Sequence, residues 1–258
     1  MLVKHRTHPV PAFAAFLALA CLGSATGRAD IYDDAAAHVG RTDKDVKRDA
    51  LDHPVEILRL AGIKPGMRVA DILGANGYYS ELLSYIVGPK GHVYLLNNLA
   101  YDNWSQGHWK ERIDGRLPNV EHRTVDLEHL DLPGSSLDAV LLIKVYHDLY
   151  WVDADPKDNW PKFDVNRVLN EVARVLKPGG ILLLVDHSAK PGTGSADASK
   201  LHRIDEAYAQ ADFAKHGFKV VGKSDLLRRP DDARDQLTYE GPMVGKTDRF
   251  VLVLRKSG

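Results

Sequence analysis

One cysteine in 258 residues, Cys21, leaves the chain without an internal disulfide. It falls within the first thirty residues, so the body of the chain has no thiol nucleophile and no cysteine metal site. Basic residues are not in excess: 34 Lys and Arg face 35 Asp and Glu, a net charge of -1. That balance offers no footprint for nucleic acid, which needs a basic face. Beyond residue 30 no apolar run is long enough to span a membrane. The glycine fingerprints of dinucleotide and triphosphate sites, G-x-G-x-x-G and G-K-[ST], are both missing. The 12 histidines show no H-x-x-x-H or clustered metal-ligand spacing, so no metal is expected.

The first thirty residues read differently from the rest. Lys4 and Arg6 precede an apolar run from Ala12 to Gly23, and "SATGRAD" follows with small residues, Ala29 last before the expected cut. A charged start, a short apolar middle and a small-residue end form a secretory signal, here expected over 1–29. A periplasmic or exported protein follows from that reading. "LALAC" also approaches a bacterial lipoprotein cleavage pattern, which would make Cys21 a lipid anchor, although Ala18 stands where leucine is preferred.

Residues 30–258 read as one domain, with 30–66 a helical lead-in ended by "KPG". Short apolar runs then alternate with helical patterns. The strands are "MRVADIL", "HVYLLN", a weaker "VEHRTVD", "LDAVLLIKVY", "ILLLV", "FKVVGK" and "RFVLVLR". Helices are expected at 78–87, through Val165–Leu176 up to "KPGG", and at about 197–215. The alternation predicts an α/β fold, a mostly parallel seven-stranded sheet with helices on both faces. Ligands in such sheets sit past the carboxyl ends of the strands, which selects 71–78, 97–98 with 126, and 144–162.

Asp71 ends the first strand, and Gly74 and Gly77 flank a turn before Tyr78 opens a helix. Glycine permits close backbone approach, and a helix amino terminus favours an anion such as a carboxylate. A ligand with one carboxylate and no pyrophosphate suits this turn, and S-adenosylmethionine is the commonest of that kind.

The chain resembles the class I S-adenosylmethionine-dependent methyltransferases through "VADILGANG", "GPKGHVY", "LDAVLLIKVYHDL", "VLNEVARVLKPGGILLLVDH" and "DRFVLVLRK". Within them it is most similar to secreted predicted methyltransferases of bacteria, through "DVKRDALDHPVEIL", "LHRIDEAY" and "GKTDRFVL". The resemblance implies a Rossmann-like fold and S-adenosylmethionine as cofactor. It implies a cofactor-binding set of Asp71, Gly74, Ala75, Asn76, Gly77, Asn97, Asp126 and Lys144. Two departures stand out. The family's glycines would fall at 73, 75 and 77, where this chain has Leu73, Ala75 and Gly77. The family's ribose-gripping carboxylate at the end of the second strand is replaced by Asn97 and Asn98.

At the end of the fourth strand, His147 is the candidate general base and Asp148 its orienting partner. Packing or capping at a strand end is the plain alternative. Tyr146, Tyr150, Trp151 and Trp160, interleaved with Asp153, Asp155 and Asp158, either line an acceptor pocket or cover a neighbouring helix. In "LHRIDEAY", Leu201, Ile204 and Tyr208 form the expected buried face, leaving His202, Arg203 and Glu206 on another, which reads as a solvated face, with a functional role for these polar residues implied by the resemblance as the alternative. The expected function is methyl transfer to an unidentified small molecule. The alternatives are a non-catalytic ligand-binding protein on this fold and a nicotinamide-dependent oxidoreductase.

Overall fold

The computed structural model describes residues 1–2, 30–152 and 159–258. The signal segment with Cys21, and Asp153, Asp155 and Asp158, lie outside the described residues. The lead-in folds as three helices: α1 (Ile31–Ala36), α2 (Asp43–Asp52) and α3 (Pro54–Ala61). Asp30 and Thr42 cap the first two by accepting bonds from backbone N–H groups. Pro54 opens α3, and Gly62 closes it at a φ of 68°.

The sheet contains β1 (Arg68–Ile72), β2 (His92–Asn97), β3 (Val120–Thr124), β4 (Leu137–Ile143), β5 (Leu176–His187), β6 (Phe218–Ser224) and β7 (Arg249–Lys256). Their order is β3-β2-β1-β4-β5-β7-β6, and β7 runs antiparallel to both its neighbours. The expected seven-stranded, mostly parallel sheet is therefore present. Between the strands lie α4 (Tyr78–Val87), α5 (Leu99–Ser105), α6 (Trp109–Ile113), α7 (Val165–Val175), α8 (Ala198–Leu201) and α9 (Glu206–Lys215).

Strand alternation divides the core between the two faces. Ala70, Ile72, Leu96, Val140 and Leu142 pack with Val168, Leu169 and Val172 of α7 and Phe213 of α9. Their neighbours Val69, Leu95, Ala139 and Leu141 pack with Ile57, Leu58, Leu82 and Leu83 of α3 and α4. Each buried leucine contributes roughly 1.5–3 kcal/mol, which is why strands apolar on both sides dominate the centre.

Two expected boundaries move. Helix α7 ends at Val175, and the "KPGG" segment lies inside β5 with Gly179 at φ 75° and a register shift opposite Leu137 and Ala139. The single helix expected at 197–215 is broken. Residue His202 turns left-handed at φ 51°, Ile204 bridges to Ser188, and Asp205 starts α9 as its cap.

The strand order reverses between β1, whose other neighbour is β2, and β4, which continues toward β5. The carboxyl ends of β1, β2 and β4 therefore meet at one crevice.

Candidate functional site

The turn after β1 has left-handed backbone at alternate positions: Leu73 at φ 53°, Ala75 at 52° and Gly77 at 74°. Those are the three positions where the methyltransferase pattern places glycine. The backbone is left-handed at all three although two of these residues carry side chains. Gly74 is required for a different reason: a Cβ there would lie 2.6 Å from both Asp71 Cγ and Leu95 Cδ1.

Asp71 lies beneath this turn. Its Oδ2 accepts a bond from Ser80 Oγ at 2.7 Å, tying the end of β1 to the first turn of α4, whose own cap residue Gly77 offers no side-chain bond. Burial pushes the Asp71 carboxyl up to about 6, against the lowering effect of Ser80.

Asn97 points into the turn after β1. Its Oδ1 accepts from Ala75 N–H and its Nδ2 donates to Ala75 C=O, both at 3.0 Å, and Nδ2 also reaches Asp102 Oδ1 at 2.9 Å. Both amide hydrogens of Asn97 are thus spent within the protein, and one lone pair of its Oδ1 is left over. Asp102 in α5 collects further donors from His122 Nε2, at 2.8 Å, and Thr124 Oγ1. Asn98 caps α5, its Oδ1 accepting from Tyr101 N–H at 2.8 Å, and its buried Nδ2 has no partner. Asn76 Oδ1 in the turn is likewise buried without a partner. A donor and an acceptor thus stand unused where the carboxyl ends of β1 and β2 meet, an arrangement that fits a polar ligand.

The remaining cofactor candidates lie further apart. Asp126 is exposed beyond β3 and accepts from Glu128 N–H at 2.9 Å, closing its own turn. Lys144, left-handed at φ 62°, sends its ammonium to Asp52 Oδ2 at 3.0 Å. Burial lowers Lys144 to about 8, with Asp52 opposing the shift. Asp52 also accepts from Arg48, at 2.7 Å, and Arg249, at 2.5 Å, so α2 is tied to the ends of β4 and β7. A second set of bonds links Arg112 to Asp45 at 2.7 Å and to Asn76 C=O at 2.7 Å. The lead-in helix thereby lies against the turn and the crevice.

At the end of β4 a short 3-10 turn, His147–Tyr150, buries His147 and Asp148. The partner that orients His147 is Asp186 near the end of β5, which accepts from its Nδ1 at 2.7 Å and its backbone N–H at 2.9 Å. His147 Nε2 meets Asp148 Oδ1 at 3.0 Å and His202 Nδ1 at 3.2 Å. Burial would push the imidazole down, but the Asp148 and Asp186 carboxylates push it up to about 10. Both ring nitrogens of His147 are thus engaged by carboxylates, with Asp148 sharing in holding the ring. The other Asp148 oxygen, Oδ2, accepts from Tyr101 OH at 2.7 Å. Asp186 was missed from the sequence, and His202 was read chiefly as part of a solvated face. The signal for Asp186 was an acid at the end of an apolar strand in "ILLLVDH".

The aromatic group divides in two. Tyr146 is fully buried, and its OH donates to Asp212 at 2.7 Å, a bond Tyr150 shares. Trp151 and Trp160 pack together with ring centroids 5.7 Å apart, and Trp160 Nε1 donates to Asp148 C=O. In "LHRIDEAY", Arg203 is not on a solvated face: it is fully buried and paired with Asp232 at 2.8 Å.

Residues 76–184 match the family described as a methyltransferase domain. The ubiquinone/menaquinone biosynthesis C-methyltransferase UbiE of Vibrio cholerae is 30% identical over 187 residues, 71% of this chain and 64% of the relative. That of Vibrio campbellii is 29% identical over the same share. The chain thus spans under two thirds of the length of these relatives. A SAM-dependent methyltransferase from Aquifex aeolicus superposes with a TM-score of 0.57 at 22% identity, over 83% of this chain and 99% of that one. The [4+2]-cyclase SpnF superposes with a TM-score of 0.55 at 16% identity, covering 81% of each chain. The chain therefore has the Rossmann-like fold of the class I methyltransferases, and its residues 76–184 match their methyltransferase domain.

Proposed function

We propose that this protein is an S-adenosylmethionine-dependent methyltransferase acting on a small-molecule acceptor. The observation that carries the reading is the turn at 73–77, left-handed at 73, 75 and 77 although Leu73 and Ala75 carry side chains. The domain match and the UbiE-like relatives support the same cofactor. When bound, S-adenosylmethionine supplies an electrophilic methyl group on a sulfonium. The chain's own residues bind and orient. The α4 amino terminus attracts a carboxylate. Asn98 Nδ2 and Asn76 Oδ1 offer an unused donor and acceptor. The buried Asp71 supplies negative charge close to the turn once it ionises. The ties from α2 to Lys144, Arg249 and the turn would keep water from the crevice. The relatives carry methylation at carbon in their names, so carbon acceptors head the substrate screen.

Calorimetric titration of the full chain with S-adenosylmethionine, S-adenosylhomocysteine and NAD tests the cofactor. Binding of the first two and not of NAD is expected, whereas NAD alone would point to an oxidoreductase. A second reading, ligand binding without turnover, is favoured by the ion pairs that hold α2 against the crevice. Labelled-methyl incorporation across an acceptor panel separates the two readings.

Export is also proposed, from the pattern of residues 1–29 alone. Fractionation of tagged full-length protein is expected to find it processed and outside the cytoplasm. If Cys21 is lipidated, Cys21→Ser moves it from the membrane fraction to the soluble one.

A further inference from the structure

We propose that His147, Asp148 and His202 form a binding site for one divalent transition-metal ion of the zinc class. Three atoms carry the argument: His147 Nε2, Asp148 Oδ1 and His202 Nδ1. Their separations are 3.0 Å for His147 to Asp148, 3.2 Å for His147 to His202 and 3.3 Å for His202 to Asp148. Zinc bonds to imidazole and carboxylate are about 2.0–2.2 Å. At the tetrahedral angle such bonds place neighbouring ligand atoms roughly 3.3 Å apart. The three atoms therefore describe one face of a metal's coordination shell.

Protons alone satisfy this face poorly. His147 Nδ1 and Asp186 already share one hydrogen. Place a hydrogen on His147 Nε2, on His202 Nδ1 or on both, and one of the three edges still sets two lone pairs or two hydrogens against each other. A cation on the face satisfies all three edges together. The surroundings match what metal ligands require from their second partners. Asp186 holds His147 in the tautomer and orientation that present Nε2, and Tyr101 OH holds the far oxygen of Asp148 at 2.7 Å. Trp151 and Tyr239 pack their rings 5.8 Å and 4.7 Å from that of His202, shielding it on two sides. Two imidazoles and one carboxylate select zinc, iron(II) or cobalt(II) over calcium or magnesium, which prefer oxygen. Sequence spacing does not show this site because His202 lies 55 positions from His147, beyond any short ligand motif.

The site stands independently of the cofactor reading, and its test uses metal alone. The purified full chain is stripped with chelator and titrated with zinc(II) by calorimetry, and separately with cobalt(II) by visible absorption. One equivalent per chain is expected at micromolar affinity or tighter, with intense cobalt bands of a four- or five-coordinate ion. His202→Ala is expected to weaken that equivalent at least a hundredfold, while His216→Ala leaves it unchanged. Weak binding by other histidines persists in every variant and does not affect the comparison. Should His202→Ala unfold, Asp186→Asn provides the second reading, with a weakening of about ten- to a hundredfold. Absence of a tight equivalent in the unmodified chain, or a tight equivalent indifferent to His202→Ala, overturns the proposal.

Discussion

Asn97 clamps Ala75: one amide accepts from its N–H and donates to its C=O, both at 3.0 Å. That pair holds the turn after β1 against the end of β2. It explains how Ala75 is kept at φ 52°, a conformation costing roughly 1 kcal/mol for a residue with a side chain. It also explains why a carboxylate would fail at position 97, since it has no hydrogen for the Ala75 carbonyl.

Asn97→Asp is therefore expected to destabilise the fold by about 1–3 kcal/mol and to loosen the cofactor turn. The new carboxylate would also face Asp102 across the 2.9 Å contact that the amide now makes as a donor. Asn98→Asp keeps its cap on Tyr101 N–H and replaces an unpartnered donor with a charged acceptor. It is expected to tighten S-adenosylmethionine about fivefold, near 1 kcal/mol, if this position meets the ribose hydroxyls. Chemical denaturation and calorimetric titration of both variants check the pair of outcomes.

Gly74→Ala and Ala75→Gly separate close packing from backbone strain. The added methyl at 74 runs into Asp71 and Leu95, and a loss of about 1–3 kcal/mol is expected. Ala75→Gly relieves the left-handed strain but loosens the unfolded chain, so stability within about 1 kcal/mol of the parent is expected. Melting curves for the two variants are the measurement. Equal losses would show that the turn is not packed as described.

The Asp71 carboxyl has a folded value of about 6 against an ordinary 3.8. Between those values the folded state binds the extra proton, so this group's contribution to stability falls as pH rises from about 4 through 6. Asp71→Asn removes the effect. The stability of the parent relative to Asp71→Asn is expected to drop by about 2 kcal/mol between pH 4 and pH 7. Other carboxylates, such as the lowered Asp148, act in the opposite direction and cancel in the difference. Urea unfolding of both proteins across that range decides it, and parallel curves would refute the assignment.

Asp52→Asn should be costly. Asp52 is buried and accepts from Lys144, Arg48 and Arg249. Neutralising it leaves three cations close together, and a loss of about 3–5 kcal/mol is expected. Lys144→Met beside Asp52→Asn should recover part of that loss, which a double-mutant cycle measures.

The sheet was legible because local chemistry repeats along each strand. Runs such as "AVLLI" at 139–143 are apolar at every position only if both faces are covered, and a covered strand belongs in a mostly parallel sheet. The turn at 71–78 was legible for a similar reason, since an acid, two glycines and a helix start occupy a few adjacent residues. Helix 197–215 was not, because its break depends on Ile204 bridging to Ser188, a partner the local periodicity does not contain.

Side-chain direction at the crevice was decided by tertiary structure alone. Asn97 and Asn98 are adjacent and chemically identical, yet one is spent on Ala75 and the other caps α5. Asp186 shares with the adjacent Asp148 in holding His147, because β4 and β5 lie side by side with Ile143 opposite Val185. His202 joins them only because α8 ends left-handed above the same strand ends. Periodicity determines which faces are buried, since burial acts on every residue of an element at once. A hydrogen bond acts between two atoms, and only the folded chain settles which two come within 3 Å.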